Sequence, residues 1–71
     1  MEIYQVTFND YYDDYGTRTK VFNDFRKASE FYNDLCCEFY KEMGVDIDIS
    51  LCDFVDGELK NVFSVAHTIY D

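Results

Sequence analysis

The sequence predicts an α+β domain in which two β-hairpins flank one long helix, in the order ββαββ. Two observations support this fold class: both ends of the chain alternate apolar and polar residues, and the middle repeats apolar residues at helical spacing. Hydrophobic residues make up 48% of the 71 residues, which is enough for a core and too many for a disordered chain. We therefore expect a single domain over residues 1–71.

The first hairpin is predicted at the amino-terminal end. Residues 2–8 alternate with period two, as in a half-buried strand. Residues 9–16 are polar and acidic and end in a glycine, which is typical of a loop. Residues 17–22 are rich in Thr and Val, which suit a second strand.

A long helix is predicted from residue 24 to residue 43. Asn23 or Asp24 can cap its first free amides. Gly44 suits the left-handed residue that often ends a helix. An apolar stripe at three- and four-residue steps comprises Phe25, Ala28, Tyr32, Leu35, Phe39 and Met43.

The second hairpin follows, with strict alternation over residues 45–52 and a strong turn signal at Asp56-Gly57. A three-residue loop ending at Gly57 would align Ile47 with Val65 and Ile49 with Phe63, on the face that the helix covers. A two-residue loop would expose Phe63 instead, so the apolar match favours the longer loop. We expect one antiparallel four-stranded sheet with the helix packed on one face; two hairpins sandwiching the helix are the alternative.

The charge balance limits the classes of partner. Acidic residues outnumber basic ones by 15 to 6, for a formal net charge of −9. This excess argues against nucleic acid as a direct ligand and against an anionic membrane surface, because both need Lys and Arg. No apolar run approaches the roughly 18 residues of a spanning helix, and no secretory signal is visible. We therefore expect a cytoplasmic protein that binds another protein.

Metal binding and catalysis have little support in the sequence. The cysteines, Cys36, Cys37 and Cys52, are odd in number, which favours reduced thiols over a disulfide framework. Adjacent helical residues point about 100° apart, so Cys36 and Cys37 are poorly placed to share a zinc ion with His67. His67 is expected at the edge of the covered face, in a structural role. We expect no metal, no cofactor and no enzymatic activity.

The acidic residues of the predicted helix form a regular pattern. Glu30, Asp34, Glu38 and Glu42 recur at strict four-residue steps, a set that we call the acidic ladder. Like charges at that spacing repel by roughly 0.2–0.5 kcal/mol per pair. The ladder is either a solvated face or a binding stripe whose carboxylates, about 6 Å apart along the axis, resemble the phosphates of a nucleic-acid strand.

Two further acidic groups extend this pattern. The first hairpin loop combines three aspartates with three tyrosines, a composition that suits a protein interface because tyrosine loses little rotamer entropy on binding. These loop residues are Asp10, Tyr11, Tyr12, Asp13, Asp14 and Tyr15. Asp46 and Asp48 lie on the predicted outer face of the second hairpin. Folding of the tyrosines back over the small core is the alternative interpretation of the loop.

In size, acidity, Tyr/Phe content and lack of Pro and Trp, the whole chain resembles the small inhibitors that bacteriophages and mobile elements encode. Anti-CRISPR proteins and uracil-DNA glycosylase inhibitors are of this type. The resemblance implies a non-enzymatic DNA mimic that binds the nucleic-acid channel of a nuclease, with a CRISPR effector as the first candidate. The alternative is a small adaptor or homodimeric assembly module that uses a sheet edge over residues 62–69.

Overall fold

The computed structural model describes residues 1–12 and 16–70, and these residues form one antiparallel four-stranded sheet and one helix. The elements are β1 (Glu2–Asp10), β2 (Thr17–Phe22), α1 (Phe25–Glu38), β3 (Val45–Val55) and β4 (Glu58–Tyr70). The strand order across the sheet is β2-β1-β3-β4. The predicted α+β class is confirmed, and since all four strands share one sheet, the alternative of two separate hairpins is wrong.

The core lies between α1 and the two central strands. It comprises Val6, Phe8, Ala28, Leu35, Phe39, Val45, Ile47 and Ile49. The rings of Phe8 and Phe39 lie 4.4 Å apart and tilted, an arrangement that aromatic pairs prefer over a face-to-face stack. Most of these core residues are aliphatic, and the partly buried rings of Tyr4, Phe22, Phe31, Tyr32 and Tyr70 pack against them. The core is small because the chain is short.

The two faces of the sheet differ in character. The pairs Val6–Ile49 and Phe8–Ile47 lie opposite one another in β1 and β3, on the side that shares the core with α1. Successive residues of a strand point to opposite faces. The neighbouring pair Thr7–Asp48 therefore lies on the other side, which we call the open face.

The helix begins as predicted and ends earlier than predicted. Asp24 caps it, with its side chain accepting a 2.8 Å hydrogen bond from the Arg26 backbone N–H. The helix ends at Glu38, where the prediction placed its end at residue 43. Lys41 has a left-handed backbone with φ of 60°, and the Glu42 N–H donates to the Phe39 carbonyl at 3.0 Å.

Backbone contacts to the sheet explain this early end. The Gly44 carbonyl accepts from the Tyr11 N–H at 2.9 Å, and the Gly44 N–H donates to the Tyr70 carbonyl at 2.8 Å. These bonds hold Gly44 at the entrance to β3, so the prediction that it caps the helix is wrong. The last helical turn also has no basic residue, while Glu38 opposes the helix dipole there.

The loop of the second hairpin is one residue shorter than the loop that the sequence favoured. Val55 pairs with Glu58, so Asp56 and Gly57 form a two-residue loop, and both have positive φ, 51° and 79°. Such a turn matches the right-handed twist of the flanking strands. The predicted three-residue loop is therefore wrong.

Two irregularities then shift the register of β4 against β3. They lie between Leu51 and Asp53 and between Ile49 and Ser50 of β3, and each adds one residue on the β4 side. Ile49 consequently pairs with Ala66 and Ile47 with Thr68. The predicted pairings of Ile47 with Val65 and of Ile49 with Phe63 are wrong, and Phe63 is 68% exposed.

Candidate partner-binding surfaces

The helix presents one exposed acidic surface. Glu30, Asp34 and Glu38 are exposed at four-residue steps along α1, and we call this set the acidic helix face. A step of four residues separates successive positions by about 6 Å along the axis. The three carboxylates therefore form a line about 12 Å long on the side of the helix away from the core.

Cations offset little of this negative charge. Within the described part of the chain, the one ion pair on the helix joins Arg26 Nε to Glu30 Oε1 at 3.6 Å, with both side chains well exposed. Exposed pairs of this kind contribute little free energy. Arg18 and Lys20 of β2 lie instead over aromatic rings, Arg18 Cζ 5.6 Å from the ring centroid of Phe8.

Glu42 does not belong to the acidic helix face. The helix ends at Glu38, so Glu42 lies in the connection to β3 and leaves the four-residue repeat. The predicted four-member ladder is wrong at this position for the same reason as the predicted end of the helix: hydrogen bonds that join the Gly44 backbone to Tyr11 and Tyr70 hold this part of the chain at the sheet.

Asp46 and Asp48 form a second polar cluster on the open face. Asp46 Oδ2 accepts a 2.6 Å hydrogen bond from the Tyr11 hydroxyl, and Asp46 Oδ1 contacts His67 Nε2. Asp48 accepts from the hydroxyls of Ser50 and Ser64, the latter at 2.6 Å. These carboxylates are half-buried, and protein donors occupy acceptor positions that a partner would otherwise use.

His67 lies in this cluster because the two-residue loop places it on the open face, and the two irregularities together add two residues to β4 and so keep that face. It pairs with Asp48 in the sheet ladder and so lies on the open face, where the prediction placed it at the edge of the covered face. The hydroxyls of Ser50 and Ser64 donate to Asp48 and not to His67. In this arrangement His67 and Asp46 make a local polar pair, and these serines are not positioned as nucleophiles by the imidazole.

The first hairpin loop is described in part. Tyr11 and Tyr12 are exposed by 66% and 63%, and the Tyr12 backbone N–H donates to Asp10 Oδ1 at 3.0 Å. Asp10 itself is buried at 9% exposure. The predicted loop residues Asp13, Asp14 and Tyr15 lie outside the described residues. The loop thus meets β3 through Tyr11 and Asp46, which the sequence did not predict.

The predicted site residues therefore divide between two surfaces. Glu30, Asp34 and Glu38 lie on the helix, whereas Asp46 and Asp48 lie on the open face, on the other side of the sheet. One flat partner surface does not reach both sets at once. Of the two, the acidic helix face carries the more exposed carboxylates.

The sequence interpretation missed an apolar groove on the open face. Its volume is about 310 Å³. The groove is lined by one residue from each of the four strands and by the residue before β1. The lining residues are Met1, Ile3, Val21, Phe54 and Leu59. These residues are distant in sequence, so only the strand order brings them together, and no local pattern indicates them.

The cysteines differ in environment. Cys37 is exposed and Cys52 is buried, and all three cysteines are free thiols. Burial is the main cause that raises the pKa of Cys52 above its ordinary value of 9.0, and the charges of Asp48 and Asp53 add to it. Among the described residues, no three His, Cys, Asp or Glu side chains gather as metal ligands. The described helix is too short and polar to cross a membrane.

Comparison of the chain with protein-family models, with curated proteins and with solved structures finds no match.

Proposed function

We propose that this chain is a non-enzymatic protein inhibitor that occupies the nucleic-acid-binding channel of a nuclease, with a CRISPR effector as the first candidate. The observation that carries the proposal is the acidic helix face, where Glu30, Asp34 and Glu38 stand exposed in a line. A row of regularly spaced carboxylates resembles the charges of a phosphate backbone. A basic channel that binds nucleic acid could therefore bind this row as well.

The energetics of the helix support a binding role for this surface. Two like-charged pairs at four-residue spacing cost roughly 0.2–0.5 kcal/mol each, and among the described residues Asp34 and Glu38 form no ion pair that relieves this repulsion. A basic channel would remove the repulsion on binding. Association should be steered electrostatically and should weaken as the salt concentration rises.

The open face is the less suitable of the two surfaces for mimicry. The carboxylates of Asp46 and Asp48 already accept hydrogen bonds from Tyr11, Ser50 and Ser64. A lysine or arginine of a partner would have to displace these donors or share the oxygens with them.

The experiment compares two double variants that change the net charge equally. Asp34→Lys with Glu38→Lys alters the acidic helix face, and Glu2→Lys with Glu58→Lys alters exposed positions at the hairpin end of the sheet. Each is immobilised and used to capture nucleases from a lysate, and captured nucleases are tested for DNA cleavage. We expect the helix variant to lose capture and inhibition and the sheet variant to keep both. Equal behaviour of the two variants would contradict the proposal.

A further inference from the structure

The outer edge of β4 has an unusual composition for this chain. The sequence has 15 acidic residues, yet the twelve residues 59–70 contain no Asp or Glu, and their charged or titratable side chains are Lys60, His67 and Tyr70. The strand lies at the end of the order β2-β1-β3-β4, so among the described residues no strand pairs with its outer side. Its outward backbone groups are thus available to another strand.

Exposed apolar side chains accompany this open edge. Val62, Phe63, Val65 and Ile69 are exposed by 60%, 68%, 43% and 51%. Edge strands are usually protected by charged side chains, by bulges or by a covering element. Here the irregularities lie at residues 61–65, while residues 66–70 keep regular pairing with β3.

We propose that this edge pairs with the same edge of a second copy of the chain, forming a closed dimer with one continuous eight-stranded sheet. The net charge of −9 selects this geometry, because two copies repel wherever their acidic surfaces meet. Both edge strands lack acidic residues, but β2 has six residues and carries Arg18 and Lys20, whereas β4 has thirteen and exposes Val62, Phe63, Val65 and Ile69. Two such chains therefore approach with little local repulsion along β4. An antiparallel pairing of identical edges uses both edges and stops at two copies.

The size of the edge is sufficient for a modest interface. Thirteen residues at about 3.3 Å each reach roughly 40 Å, so β4 follows the longest dimension of the fold, which is 36 Å. With the shortest dimension of 15 Å, full contact along the edge would cover at most roughly 540 Å² per copy. Two copies would therefore bury at most roughly 1,100 Å², close to the approximately 1,000 Å² expected of a specific interface.

Sedimentation equilibrium on the full chain tests the dimer, at protein concentrations from about 5 to 500 µM and at low and high salt. We expect a monomer–dimer equilibrium that shifts toward dimer as salt rises, because screening weakens the repulsion between copies. Binding of the acidic helix face to a nuclease should weaken as salt rises, which is the opposite dependence. The dimer proposal and the inhibitor proposal can therefore be tested independently. A monomer at every concentration, or growth beyond the dimer, would overturn this one.

Single substitutions locate the interface. Phe63→Lys and Ile69→Lys should each raise the dimer Kd by at least about tenfold, since a charge would be buried. Val21→Lys is the matched control, because Val21 is 52% exposed on β2, the opposite edge strand. General repulsion alone would predict a tighter dimer for every added lysine. If Val21→Lys raised the dimer Kd as much as the β4 variants do, the interface would not be confined to the β4 edge.

Hydrogen exchange of the unmodified chain gives a second test that does not depend on the variants folding. The backbone amides of residues 62–69 should exchange more slowly at high protein concentration, and those of β2 should not change. Concentration-dependent protection confined to β2 or to the helix would contradict the proposed edge.

Discussion

Gly44 joins the end of the helix connection to the start of β3, with φ of +81°. A Cβ atom placed there would lie 2.5 Å from Cδ2 of the Tyr12 ring. Gly44→Ala therefore combines a left-handed backbone, which costs about 1–2 kcal/mol for an L-residue, with displacement of Tyr12. We expect urea denaturation to show a loss of about 2–3 kcal/mol in the free energy of unfolding.

Gly57→Ala is the control for this prediction. Gly57 has φ of +79°, nearly the same as Gly44, but a Cβ there meets nothing within 4 Å. The control should lose only the backbone cost of about 1–2 kcal/mol. Equal losses in the two variants would show that the contact with Tyr12 does not matter to stability.

The thiol of Cys52 and the hydroxyls of Tyr32 and Tyr70 should make the stability of the fold depend on pH. The pKa of Cys52 is raised above 9.0, and burial also raises the pKa values of Tyr32 and Tyr70 above 10.0. Each group loses its proton more readily in the unfolded chain, so the stability linked to it is complete below about pH 9 and falls as pH rises through the folded-state pKa values. We expect the urea midpoint to fall between pH 8.5 and roughly 10.5.

A Cys52→Ala variant separates the thiol from the tyrosines. It should be less stable at neutral pH because a buried side chain is shortened. Its urea midpoint should nevertheless fall less between pH 8.5 and 9.5 than that of the unmodified chain. An identical fall in both proteins would exclude the Cys52 thiol as a cause.

At the scale of the element, the helix should be more stable with less acidic charge. Asp34 is four residues from Glu30 and four residues from Glu38, and repels both. Asp34→Lys replaces these two repulsive pairs by attractive ones. We expect the free energy of unfolding to rise by roughly 0.5–1.5 kcal/mol at low salt, with less effect at high salt. Urea denaturation at two salt concentrations measures this change.

Glu58→Lys changes the net charge by the same two units at an exposed position outside the helix. It relieves no pair of the acidic repeat, so its gain should be below about 0.5 kcal/mol. An equal gain in both variants would mean that net charge, and not the repeat, controls stability. A gain specific to Asp34→Lys, together with lost nuclease binding, would indicate that the acidic repeat costs stability and serves binding.

The local elements could be predicted from sequence, whereas their ends and pairings could not. Period-two alternation and the Asp24 cap are local signals, so the strands and the start of α1 were predicted correctly. The early end of the helix accompanies two hydrogen bonds, from the Tyr11 N–H to the Gly44 carbonyl and from the Gly44 N–H to the Tyr70 carbonyl, and these residues are far apart in sequence. The register of β4 depends on two irregularities that leave no clear local pattern.

At the scale of the whole molecule, the arrangement of the acidic residues follows from the sheet. The repeat of Glu30, Asp34 and Glu38 is visible in the sequence because helical spacing is regular. Strand order decides that Asp46 lies beside His67 and Tyr11, on the side of the sheet away from the helix. The sequence therefore indicated the acidic helix face and did not indicate its separation from the open face.

Mimicry requires that the acidic helix face and nucleic acid compete for one channel. The most direct measurement is the affinity of the chain for a captured nuclease at increasing concentrations of duplex DNA. If the two sites coincide, the apparent Kd should rise in proportion to DNA concentration without a limit. An apparent Kd that levels off, or that does not change with DNA, would mean that both bind at once and would contradict mimicry.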